Sequence, residues 1–168
     1  MDCKKIVYIV AIFCLSSCAI SYKFSGTSID YTKISSVSIA DFPNNAPLVN
    51  PSLSNNFSEG LRDIFQRQTR LQLLRAGGNL ELEGYIKGYS ITNMAVAADS
   101  YASETKLTLT VHVIYTNNIA PEESFEKDYS AYQMFDATRM LEDVQDELCS
   151  TMIQEITESI FNDTVAKW

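Results

Sequence analysis

Few residues in this chain have the chemistry for catalysis or metal binding, and they are widely spaced. The 168 residues contain four cysteines, Cys3, Cys14, Cys18 and Cys149, and one histidine, His112. No Cys-x-x-Cys pair occurs, so a zinc centre of sulfur and imidazole ligands has no donor set. His112 shares the polar side of an alternating run with Lys106, Thr108 and Thr110. Without a nucleophile or carboxylate arrangement beside it in sequence, it reads as a surface histidine and not as a general base. Glu81 and Glu83 stand two apart, a spacing that puts paired carboxylates on one strand face, but their alternation with leucines is what solvent exposure already requires. Gly77-Gly78 is too short and wrongly placed for a phosphate loop. No catalytic residue, metal ligand or cofactor is assigned.

Binding chemistry is better represented. Residues 60–80 carry Arg62, Arg67, Arg70 and Arg75 against Asp63 alone, in a chain whose formal net charge is −8. Arg67, Arg70 and Arg75, next to a Gly-Gly turn, are candidates for an anionic ligand, since guanidinium groups make forked hydrogen bonds to anions; the alternative is a set of solvated helix-face arginines. Tyr85, Tyr89, Tyr129 and Tyr132 enrich faces that otherwise read as polar. They are the partner-interface candidates, because a tyrosine ring can be buried at an interface while its hydroxyl keeps a polar partner. An acidic chain lacks the positive charge that nucleic-acid binding needs, so no nucleic-acid partner is expected.

The N-terminus holds the chemistry of Cys18. Lys4 and Lys5 precede an apolar stretch from Ile6 to Leu15, too short for a permanent span of about 20 residues but suited to an export signal. Leu15-Ser16-Ser17-Cys18 then resembles the bacterial lipobox, in which the cysteine sulfur receives a diacylglyceryl group and becomes the new N-terminus. Residues 1–17 are accordingly expected to be a signal peptide, 18–32 a lipidated tether, and 33–168 the folded domain. Removing Asp2, Lys4 and Lys5 turns 13 basic and 21 acidic residues into 11 and 20, a net −9. Cys149 is then the only free thiol, and among Leu148 and Met152 its expected role is that of a small buried hydrophobe.

The elements that must position these residues follow from periodicity. ISSVSIADF at residues 34–42 suggests a short strand, and the Pro- and Asn-rich stretch after it forces a turn-rich connection. Leu53, Phe57, Leu61, Ile64 and Phe65 recur at helical spacing, with Ser52 or Ser54 as the expected cap. LQLL at 71–74 is a possible extra strand. Leu80, Leu82 and Ile86 mark a clear one, with Gly84 and Gly88 expected at a close approach or a bulge. Residues 89–103 are open between strand and loop. Leu107, Leu109, Val111, Val113 and Tyr115 form one face of the strongest strand, and residues 125–135 its antiparallel neighbour. Asp136 or Thr138 is expected to cap a last helix whose stripe is Leu141, Val144, Leu148, Met152, Ile156 and Ile160. The fold class is α+β: two helices packed on one face of a roughly four-stranded antiparallel or mixed sheet.

Taken with the lipobox, PNNAPLVNPSLSNNF, FQRQTRLQLL, GNLELEGYIKGY and KLTLTVHV make the chain resemble the lipopolysaccharide-assembly lipoprotein (LptE) family as it occurs in the Bacteroidetes. The lack of a catalytic constellation predicts no enzymatic activity, and the resemblance implies a lipid-anchored protein on the periplasmic leaflet of the bacterial outer membrane. It implies as partners lipopolysaccharide and LptD, a β-barrel whose lumen the lipoprotein supports and partly plugs. A stand-alone envelope lipoprotein binding another glycan or lipid is the alternative. Asp163-Thr164-Val165 resembles a short O-glycosylation motif of that phylum, with helix capping or fraying as the other account.

Overall fold

The computed structural model describes residues 29–94 and 103–166. Cys18 and the proposed signal peptide lie outside the described residues, as does most of the ambiguous 89–103 stretch. The elements run β1 (Ser36–Ile39), α1 (Leu53–Gln68), β2 (Gln72–Leu74), β3 (Leu80–Asn93), β4 (Glu104–Asn117), a single 3-10 turn (Pro121–Glu123), β5 (Phe125–Asp136) and α2 (Leu141–Thr164). The α+β architecture is as expected, with a mixed sheet of five strands instead of about four. The order is β2-β1-β3-β4-β5, and β1 runs parallel to both β2 and β3 while β3, β4 and β5 form an antiparallel meander. The extra strand is the LQLL segment, which pairs with β1 through Gln72–Leu74.

Alternation along β4 sets the two faces of the sheet. Leu107, Leu109, Val111, Val113 and Tyr115 are buried against the helices, while Thr108, Thr110 and His112 point to the other side. From above, α1 contributes Leu53, Phe57, Leu61, Ile64 and Phe65, and α2 contributes Met152, Ile153, Ile156, Ile160 and Phe161. Phe65 meets Phe161 edge-on at 5.3 Å between ring centres, locking the helices together over the sheet. Where they cross, Gly60 leaves room for Ile153, whose Cγ2 would lie 3.0 Å from a Cβ at that position.

Neither helix is capped as expected. Ser52 sits at the N-cap of α1 without a capping hydrogen bond; its hydroxyl donates instead to Asn50 Oδ1, and that of Ser54 donates to the Phe42 carbonyl. The N-cap of α2 is Met140, because Asp136 spends its carboxylate one turn earlier, accepting from the N–H and hydroxyl of Thr138. Short polar side chains beside a turn bond within that turn as readily as they cap a helix.

The two strand glycines behave differently. Gly84 lies where β3 is crossed closely: a Cβ there would sit 2.0 Å from the His112 carbonyl oxygen and 2.7 Å from the Phe42 ring. The chain after β1 follows β3 along this stretch, with Ala40 N–H donating to Leu82 O and Ile86 N–H to Pro43 O. The bulge falls next to Gly88, since Ile86 pairs with Val111 and Gly88 with Thr110, leaving Lys87 as the extra residue. One inserted residue inverts the alternation beyond it. Tyr89 therefore pairs with Leu109 and turns inward.

Candidate functional site

The face of the sheet away from the helices carries a connected polar group. β3 supplies Tyr85 and Lys87, β4 supplies His112, and β5 supplies Glu126 and Asp128. In register, Tyr85, His112 and Asp128 form one row across the three strands, so the cluster is a product of strand pairing and was invisible to spacing within any one strand. His112 Nδ1 lies 2.7 Å from Asp128 Oδ1 and its Nε2 lies 3.0 Å from Glu126 Oε1. The Tyr85 ring leans on the imidazole at 5.0 Å, and Lys87 Nζ donates to Asp128 Oδ2 at 2.6 Å. His112 is thus half-buried and not the plain surface residue expected. Both ring nitrogens face carboxylates, an arrangement that fixes the plane of the ring.

Asp128 is the hub, and its carboxyl is held below its ordinary range, first by the Lys87 hydrogen bond and then by that of His112. A lowered folded-state value means that its contribution is present above the unfolded value of about 3.9 and lost as pH falls through the folded one. Asp128→Asn is accordingly expected to lower the thermal midpoint at neutral pH, with the gap from wild type closing as the pH falls below the unfolded value of about 3.9. Midpoints measured across that range check it; a gap equal at both ends contradicts the assignment.

The tyrosine candidates separate into two pairs. Tyr132 is 59% exposed on the helix-free face, with Lys106 Nζ 5.2 Å from its ring centre, and Tyr85 is half-buried there. Tyr89 and Tyr129 do not lie on polar faces and are corrected to the core, at 1% and 6% exposure. The bulge turns Tyr89 inward, where the Cys149 thiol donates to its hydroxyl at 3.4 Å. Tyr129 takes the inner side of β5 and donates to Asp163 Oδ2 on α2 at 2.7 Å. Burial, with those partners, pushes both phenols well above their ordinary value. Cys149 is buried as expected, and burial pushes its thiol up, away from the thiolate needed for reactivity. Thr164 is likewise buried within α2, its hydroxyl donating to the Ile160 and Phe161 carbonyls, which leaves that oxygen inaccessible to glycosylation in the folded chain.

The arginine candidates are exposed but lie in different places. Arg67 borders a cleft of about 480 Å³ between the two helices, where its Nε donates to the Asp63 carbonyl. Arg70 precedes β2. Arg75 follows β2, at the rim of another cleft of about 500 Å³ shared with Asp41 and Arg62. Arg62 is engaged by Asp41, Glu59 and the Ile39 carbonyl. Proximity in sequence does not make the arginines one constellation.

Among the described residues no group of three or more His, Cys, Asp and Glu side chains is placed to hold a metal ion, and no helix is long and apolar enough to cross a membrane. A family model described as "LptE: Lipopolysaccharide-assembly" matches residues 34–164. No curated protein matches the chain. Among solved structures, a putative neuraminyllactose-binding hemagglutinin homolog from Helicobacter pylori is similar with a TM-score of 0.50 and 9% identity, over 77% of this chain and 84% of its own. A minor lipoprotein from Acinetobacter baumannii aligns with a TM-score of 0.47 and 13% identity, over 73% and 87%. A lipoprotein B from Nitrosomonas europaea aligns with a TM-score of 0.49 and 12% identity, over 76% and 79%. At such identities the Helicobacter likeness speaks to the fold alone.

Proposed function

The chain belongs to the LptE lipopolysaccharide-assembly family, and on that premise we propose that it is an outer-membrane lipoprotein, anchored through Cys18 in the periplasmic leaflet. There it partners the β-barrel LptD in delivering lipopolysaccharide to the cell surface. The family match carries this reading, because residues 34–164 take in every strand and both helices of the domain. The site chemistry supports a role without covalent catalysis: His112 is committed to two carboxylates and Cys149 is buried and hydrogen-bonded.

Contact with the barrel falls to exposed surface, so Tyr85 and Tyr132 remain interface candidates, whereas Tyr89 and Tyr129 support the core beneath. Contact with an anionic glycolipid falls to Arg67, Arg70 and Arg75, each acting at its own position. Their joint replacement by glutamine weakens glycolipid binding if they serve that role, and added salt narrows the difference from wild type. The alternative, a stand-alone envelope lipoprotein that binds a glycan or lipid, would keep the same anchor and the same small α+β domain.

The deciding measurement is affinity recovery of the full-length chain from detergent-solubilised native membranes. Co-recovery of a large β-barrel is expected. Its absence, under conditions that preserve other membrane complexes, sinks the assembly role and favours the stand-alone binder. Cys18→Ala is expected to move the protein from the membrane to the soluble fraction or to block its processing. A membrane-bound, normally processed Cys18→Ala chain overturns the anchor, since stable attachment needs the acyl chains that the cysteine would carry.

A further inference from the structure

The two edges of the sheet are unlike. β2 offers three residues, too short a strand to template another. β5 offers twelve and, among the described residues, pairs only with β4. Its first part is guarded by Glu126, Lys127 and Asp128, but Tyr129 to Phe135 contains no charge, proline or glycine. Natural edges are normally blunted by such residues. Among the described residues, no backbone group outside β4 hydrogen-bonds to this stretch, so one side of a run about 23 Å long presents unpaired N–H and C=O groups.

We propose that the uncharged half of the β5 edge is a strand-addition site, filled by an extended segment of a partner protein. A row of alternating donors and acceptors at strand spacing is matched by another strand. A second copy of this chain fits poorly. An antiparallel pairing of two β5 edges that keeps the helix-free faces continuous and is centred on Ala131 or Tyr132 sets Asp136 opposite Glu126 or Asp128. Symmetry repeats that like-charge pair at the other end. The same carboxylates favour a partner strand with an uncharged centre and a flanking cation. This inference goes beyond membership of the assembly complex and does not depend on which protein supplies the strand.

The test is amide hydrogen exchange of the full-length chain, in native membrane vesicles and after purification in detergent. Exchange across Tyr129–Phe135 is expected to be slower by about tenfold or more in vesicles. Ser130→Lys, a charge on an exposed side chain of the edge, is expected to abolish that protection, whereas Ser130→Thr retains it. Tyr132→Lys replaces Ser130→Lys if the latter fails to accumulate. Equal exchange in the two settings, or protection that survives the lysine substitution, overturns the proposal. So does a purified chain that is dimeric with this edge already protected. Co-recovery of a barrel while the edge exchanges freely rejects the edge site and leaves the assembly role standing. A protected edge without a barrel does the reverse.

Discussion

Replacing Gly84 by alanine is expected to destabilise the domain by about 3 kcal/mol or more, at the upper end of what overpacking costs. The added Cβ would sit 2.0 Å from the carbonyl oxygen of His112 on β4. That atom is backbone and cannot swing away as the end of a flexible side chain can. Relief requires β3 and β4 to part where Gly84 pairs with Val113, and the Phe42 ring, 2.7 Å from the same Cβ, to withdraw from the core. Damage would reach His112 itself, the centre of the cluster on the opposite face. Denaturant unfolding of the purified chain reads the effect. A loss below about 1 kcal/mol would show that the strands yield more easily than a packed interior should.

Tyr89→Ala is expected to cost about 3–5 kcal/mol, as for other large aromatic truncations in a core, while Tyr89→Phe costs about 1 kcal/mol. The ring is 1% exposed and its hydroxyl accepts from the weak donor Cys149 Sγ at 3.4 Å. Removing the ring leaves a cavity beneath α2, whereas removing the hydroxyl deletes its polar contacts with Cys149 and Asn50 and leaves the ring in place. The pair of variants separates a core residue from an interface residue. An interface tyrosine would lose partner binding on truncation and keep its stability. Unchanged unfolding of Tyr89→Ala would return the residue to the surface and place the β3 bulge elsewhere.

Local pattern carried most of the fold. The apolar spacing of Leu53 to Phe65 and Val144 to Ile160 is one face of a helix, and the alternation from Leu107 to Tyr115 is one face of a strand. Each pattern follows from the period of its own backbone, so it is legible in a single segment. The capping residues were less legible, because Ser52, Ser54 and Asp136 chose partners in neighbouring turns that spacing does not reveal.

By itself, the sequence determined the α+β class, the two helices, the buried face of β4, and Cys149 as a buried thiol in α2. It also carried the family resemblance that the match over residues 34–164 bears out. The tertiary structure alone decided the inward turn of Tyr89, since a bulge is specified by the register of two strands and not by one. It alone assembled Lys87, His112, Glu126 and Asp128, which come from three strands. It likewise dispersed Arg67, Arg70 and Arg75, whose nearness along the chain ends where helix gives way to strand. Periodicity tells a side chain which way to face; pairing and packing between segments tell it what it will meet there.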